Sequence, residues 1–183
     1  MMYKGSNTYN INSCETIEIF YNIRTDLDKL KYAMHITKII QDVTTENQNS
    51  YKILQLYLNT LYTISETDKD LDLTMSIFKL RLLCYLGFTP QIEKCVNCGE
   101  NEDITSFSLK ESGFKCATCS KPDKSCVQIT ESTQNAIKYI TMASPKKLFS
   151  FNLKDDSLEE LKIIAKLYLN EKLEKEYKLE DLF

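Results

Sequence analysis

Residues 77–100, IFKLRLLCYLGFTPQIEKCVNCGE, carry the strongest indication of the fold. Its first half continues an apolar run that begins at Leu71, and apolar residues on all sides of a helix are typical of a helix in the centre of a bundle. Gly87 and Pro90 follow the run, and such residues commonly end a helix. The second half contains two cysteines separated by two residues. We therefore expect a mainly α-helical protein with a small cysteine module inserted after a central helix.

The first cysteine pair, Cys95 and Cys98, is followed by a second pair, Cys116 and Cys119, with 17 residues between the two pairs. This spacing lies within the window of four-cysteine zinc sites. Two intervening residues allow one tight turn to direct both sulfurs at one metal, about 2.3 Å from each. Four thiolates leave no open position for water, so we predict a structural Zn²⁺ and not a catalytic one. Iron is the leading alternative metal, and free thiols or a redox dithiol are the alternatives to a metal.

Helical periodicity is present on both sides of this module. Apolar residues recur at helical spacing over 26–43, from 51 onwards and over 71–86, and again from Thr130 to about Ala143. Ser157 and Glu160 form a capping box that predicts the start of a last helix. We predict four parts: a short β-like segment in 1–13, a first helical part in 14–90, a zinc module with a β-hairpin in 91–125, and a second helical part in 126–183.

The composition excludes several classes of function. The net charge is −3, so no strong affinity for phosphate can be inferred from it. The chain has only four glycines and one histidine, which excludes a glycine-rich phosphate loop and any site with two imidazoles. No apolar run is long enough to cross a bilayer, and residues 1–6 lack the apolar stretch of a signal peptide. We expect a cytoplasmic, non-enzymatic protein with reduced cysteines.

Four basic residues are candidates for contacts with nucleic acid. Lys146 and Lys147 lie in 126–151, a segment with a net positive charge, and are the best candidates. Lys79 and Arg81 interrupt the apolar central helix and could also reach a phosphate. The alternative for the first pair is a solvated surface. For the second pair it is local pairing, in which the side-chain stems cover apolar surface.

The order of these features resembles the bacterial RecO family. The similarity extends over most of the chain: FYNIRTDLDKLKYAMHITKII (20–40) leads into a helical hairpin, 77–100 carries the most specific motif, and FKCATC (114–119) follows a hairpin. The resemblance implies a helical domain with a zinc module whose ligands are Cys95, Cys98, Cys116 and Cys119. Family members begin with an OB-fold barrel, and the resemblance implies that residues 1–13 are the remnant of such a barrel, its last strand. They often end on a basic segment, where this chain has Lys178 followed by Glu180.

The resemblance also implies a function. It predicts a mediator of DNA recombination and repair that binds DNA, RecR and single-stranded-DNA-binding protein (SSB), promotes annealing and helps to load the RecA recombinase. Binding of this chain alone to single- or double-stranded DNA is expected to be weak, because its charge is negative. The alternative is a generic zinc-ribbon interaction module, such as a transcription or repair accessory factor. An enzyme with a zinc lid, as in some nucleotide kinases, would need a phosphate loop that this sequence lacks.

Overall fold

A computed structural model describes residues 2–4, 9–45 and 50–179. The secondary structure within these residues is mainly helical, as predicted. The helices are α1 (Tyr21–Thr25), α2 (Leu27–Val43), α3 (Tyr51–Glu66), α4 (Leu71–Tyr85), α5 (Ala117–Ser120), α6 (Glu131–Met142) and α7 (Asp155–Leu173). The strands are β1 (Met2–Lys4), β2 (Tyr9–Ile11), β3 (Ile104–Ser108), β4 (Gly113–Cys116) and β5 (Cys126–Gln128).

Helix α4 is the centre of the helical part. Every residue from Leu73 to Leu83 is buried, and the helix packs against α2, α3, α6 and α7. Asp70 caps its first turn by accepting a hydrogen bond from the backbone N–H of Leu73 at 2.7 Å. The helix ends as predicted: Gly87 has φ of +96°, and the N–H of Phe88 donates to the carbonyl of Leu83 at 2.9 Å. This is the Schellman arrangement, which satisfies carbonyls of the last turn.

Strands β4, β3 and β5 form an antiparallel sheet in that order. The hairpin of β3 and β4 lies within 91–125, where a β-hairpin was predicted. The third strand, Cys126–Gln128, was not predicted, and it lies just past the predicted end of the module at residue 125. Near the other end of the chain, β1 pairs with β2 in an antiparallel register, with Met2 opposite Ile11. The assignment of residues 1–13 to a barrel stays a prediction.

The predicted capping box of the last helix is wrong. Helix α7 begins at Asp155, so Ser157 lies inside it. Glu160 instead reaches across to α6, where its carboxylate accepts from the backbone N–H of Thr130 at 2.8 Å and from the Thr130 hydroxyl at 2.9 Å. Thr130 caps α6 as predicted. The two helix starts are therefore fixed by one contact between α6 and α7.

Across the described residues, no helix combines the length and the apolar character that a bilayer crossing requires. Glu180, singled out in the sequence, lies outside the described residues.

Candidate metal centre

The four predicted ligands come from two separate turns. Cys95 and Cys98 lie in the loop between α4 and β3, Cys116 ends β4, and Cys119 lies in α5. Gly99 has φ of +81°, and its N–H donates to the carbonyl of Cys95 at 3.0 Å. This is the turn that a glycine permits at low cost. The loop is held to the sheet because the N–H of Val96 donates to the carbonyl of Phe114 at 2.9 Å.

The structure brings the four thiols together. Their Sγ atoms all lie within 4.8 Å of one another, and those of Cys98 and Cys116 are 3.8 Å apart. A tetrahedral ion with metal–sulfur bonds of about 2.3 Å places its sulfurs roughly 3.8 Å apart. The cluster therefore has the size of a four-thiolate site. Cys95 and Cys116 are buried, whereas Cys98 is exposed.

The acidity of the thiols differs within the cluster. Burial raises the pKa of Cys95, but hydrogen bonds from backbone N–H groups, led by that of Cys98, outweigh it and lower the pKa to about 6. A hydrogen bond with Cys116, together with burial, raises the pKa of Cys119 to about 12. One thiolate therefore forms readily, while further ionisation is opposed by the neighbouring sulfurs. A bound cation removes that opposition, because it attracts every thiolate.

A buried lysine supports the sheet next to the ligands. The Lys115 side chain is 2% exposed, and its ammonium lies 2.7 Å from the Asp123 carboxylate and 2.9 Å from that of Glu111. Asp123 also accepts from the hydroxyls of Ser108 and Ser125, both at 2.7 Å. Lys115 is the main reason that the pKa of Asp123 stays far below its usual range. This network fixes the loop after Cys119 against β3 and β4.

The module packs directly on the helices. The ring of Phe107 in β3 makes edge-to-face contacts with Phe114 at 6.2 Å and with Tyr168 of α7 at 5.2 Å between centroids. The Tyr168 hydroxyl donates to the carbonyl of Phe88 at 2.9 Å. These aromatic rings are almost fully buried. The apolar side of the sheet is therefore part of the helical core.

The four predicted basic residues are not brought together. Arg81 is buried, and its guanidinium donates to the carbonyls of Ile140 at 2.9 Å, Thr141 at 2.6 Å and Ala143 at 2.6 Å. Lys79 is also buried. Lys146 and Lys147 are exposed in the segment between α6 and α7. Arg81 thus donates hydrogen bonds to the carbonyls at the end of α6, which favours local pairing as the role of this residue. The exposed pair Lys146 and Lys147 remains available to a ligand.

Comparisons with known proteins agree with this geometry. The profile of the family described as "Recombination protein O C terminal" matches residues 24–180. The chain belongs to the RecO family. It is similar to the DNA repair protein RecO of Acetivibrio thermocellus, with 39% identity over 97% of this chain and 71% of the relative. The RecO proteins of Alkaliphilus metalliredigens and Thermoanaerobacter sp. strain X514 are 31% and 32% identical over 92% and 99% of this chain, and over 69% and 73% of their own lengths.

The RecO resemblance inferred from residues 20–119 is therefore confirmed. Sequence reasoning did not identify the residues that support the RecO module, namely Lys115 and Asp123. A lysine between Phe114 and Cys116 in a predicted strand was the available signal, because alternation places it on the face opposite to the phenylalanine. Its partner could not be found from the pattern, since Asp123 lies in the loop that follows α5.

Proposed function

We propose that this chain acts in DNA recombination and repair as a non-enzymatic mediator that binds DNA, SSB and RecR and helps to load RecA. The proposal rests on one observation, the match to the RecO family over residues 24–180. It is supported by relatives that are named DNA repair proteins and cover most of this chain. A closed cluster of four thiols also suits a scaffold better than a catalytic centre.

The resident metal in this proposal is Zn²⁺ held by Cys95, Cys98, Cys116 and Cys119. Thiolate ligands in a tetrahedral arrangement favour zinc or iron, and the redox-inert zinc needs no further cofactor chemistry. The ion would crosslink the loop before β3 to the end of β4. Structural zinc in small peptides contributes on the order of 10–16 kcal/mol of apparent binding energy. Elemental analysis should find one zinc per chain, and an equal amount of iron would overturn the assignment.

The DNA contact in this proposal centres on Lys146 and Lys147. Their segment is anchored by Leu148, which is buried, and by the Tyr139 hydroxyl, which donates to the carbonyl of Lys147 at 2.7 Å. Lys146 also lines a groove of about 710 Å³ together with Tyr62, which is 54% exposed. An exposed aromatic ring beside a lysine is the arrangement on which single-stranded bases stack.

A salt titration of binding to labelled single strands tests this contact. We expect weak binding, with a slope of log K against log salt of magnitude about 2–3 or less. Lys146→Glu with Lys147→Glu should abolish most of it. The matched control is Lys52→Glu with Lys124→Glu, which reverses two exposed lysines elsewhere. Equal losses in both double variants would refute a local contact, and a slope steeper than about −5 would indicate a larger basic surface.

Binding of a protein partner is expected to survive this double substitution. A second groove of about 500 Å³ is lined mainly by apolar side chains, among them Phe20, Met34 and Leu61, and shares no residue with the groove at Lys146. An apolar surface of this kind suits a peptide segment and depends less on cations than DNA does. Calorimetric titration with SSB should therefore give the same affinity for wild type and for the Lys146/Lys147 variant.

A further inference from the structure

A small cavity between α2, α4 and α7 is lined by Lys79, Lys162 and Lys166. Its volume is about 240 Å³, below the range of roughly 300–1,000 Å³ in which drug-sized ligands bind. Tyr32, Tyr177 and Asp72 also face it. A cavity of this size with three ammonium groups can hold only a small anionic group.

The three lysines differ in how their charges are balanced. Lys162 is paired, because its ammonium lies 2.8 Å from the carboxylates of both Asp72 and Glu159. The hydroxyl of Tyr32 also donates to Asp72. Asp72, the one carboxylate among the described lining residues, is therefore already engaged by two donors.

Lys79 has no such partner. The residue is 9% exposed. Among the described residues its ammonium makes no hydrogen bond or ion pair, although the Asp72 carboxylate attracts it from a longer distance. Burial is the main cause that lowers the pKa of Lys79 to about 8, and the nearby ammonium of Lys166 lowers it further. A buried cation beside a second cation is costly unless an anion accompanies them.

We propose that this cavity binds a phosphate group. The ammonium groups of Lys79 and Lys166, which have no ion pair among the described residues, offer three N–H donors each, and Lys162 retains one beyond its two ion pairs. The number of these N–H donors exceeds what the two oxygens of a carboxylate accept, but it suits the larger number of oxygens of a phosphate. A carboxylate is recognised best by the planar fork of an arginine, whereas lysine acts on phosphate as a point charge. The cavity contains no arginine among its described lining residues.

The group could be free inorganic phosphate or the terminal phosphate of a nucleic-acid strand. A DNA duplex cannot enter the cavity, because its major groove alone is about 12 Å wide and the whole duplex is wider still. A strand end or a free anion is therefore the form that fits. This inference stands on the cavity alone and does not depend on the proposed function.

The test is a titration of the full chain with inorganic phosphate at constant ionic strength, followed by calorimetry and by amide NMR. We expect saturable shifts at residues of α4 and α7 around the three lysines. Lys79→Met and Lys166→Met should each weaken binding by about tenfold or more, which is about 1.4 kcal/mol. Lys52→Met, at an exposed lysine of α3, is the matched control and should bind as wild type. Since Lys166 is exposed, its variant remains informative even if the Lys79 variant fails to fold.

Competition separates the two sources of phosphate. A 5′-phosphorylated strand that displaces inorganic phosphate, when the 5′-hydroxyl strand does not, would identify a strand end as the ligand. Phosphate binding without competition by either strand would identify the free anion. Absence of saturable binding, or the same affinity in all three methionine variants, would overturn the proposal.

Discussion

Arg81 provides the most direct test of how the helical core is held together. We expect Arg81→Met, which keeps much of the apolar stem and removes the charge, to destabilise the protein by about 3 kcal/mol. Three carbonyls at the end of α6 lose a charged donor, and hydrogen bonds from charged groups contribute about 1.5–3 kcal/mol each. Water can replace the donor at the partly buried carbonyls of Thr141 and Ala143. The buried carbonyl of Ile140 carries the full cost, and the desolvated charge of Arg81 offsets part of the total.

The assay is equilibrium urea unfolding of the zinc-saturated chain. With a slope of about 2 kcal/mol per molar urea, the midpoint should fall by about 1.5 M. Arg81→Lys should lose somewhat less, because an ammonium still donates to some of the carbonyls. It should not match wild type, because it cannot hold three carbonyls in the geometry of a guanidinium fork. The control, Lys52→Met, removes the same charge from the surface and should stay within about 0.5 kcal/mol of wild type. Equal midpoints for Arg81→Met and Lys52→Met would refute the capping argument.

Three further predictions concern the module and one ion pair. Cys116→Ser should abolish stoichiometric metal binding and accelerate hydrogen exchange over residues 91–128, with far-ultraviolet circular dichroism almost unchanged; slow exchange there would contradict a metal crosslink. Gly113→Ala should lower the free energy of unfolding in urea by about 1–3 kcal/mol, because a Cβ at this site would lie 2.6 Å from the carbonyl oxygen of Gln91. An unchanged midpoint would contradict this, because it would show that the loop at Gln91 moves away without cost. Burial raises the pKa of Asp72, but hydrogen bonds from Lys162 and Tyr32 outweigh it and leave the pKa lowered. The stability advantage of wild type over Asp72→Asn should therefore be complete above about pH 5 and shrink as the pH falls below about 4 towards the lowered pKa of the folded state. A gap that is independent of pH would refute this linkage.

The helices were predictable because their signals are local. The apolar run that begins at Leu71 and the glycine at position 87 predict the bounds of α4 to within one residue. Both signals depend only on residues that are adjacent in the sequence. The thiol cluster was predictable for the same reason, because two short turns fix the spacing of each pair. Glu160 was misassigned because its partner, the start of α6, lies 30 residues away.

The basic residues show the limit of pattern reasoning most clearly. Lys79 and Arg81 are two positions apart on one helix, yet Arg81 meets three carbonyls and Lys79 faces a cavity. Periodicity places both in an apolar helix but contains no information about the neighbouring helix ends. The choice between a structural and a binding role depends on tertiary contacts. In the same way, the partner of Lys115 in the module became apparent only from the folded loop at Asp123.

The two ends of α6 have a consequence for synthesis on the ribosome. At the start of α6 the backbone N–H of Thr130 donates to Glu160, and at its end the last carbonyls accept hydrogen bonds from Arg81. Arg81 leaves the exit tunnel before the helix does, and Glu160 leaves it after the helix. Helix α6 therefore cannot acquire its native start until the first turns of α7, up to Glu160, have been translated. Arg81 can meet the last carbonyls of α6 as soon as they emerge, so we expect the start of the helix, which needs Glu160, to be the last part of it to form.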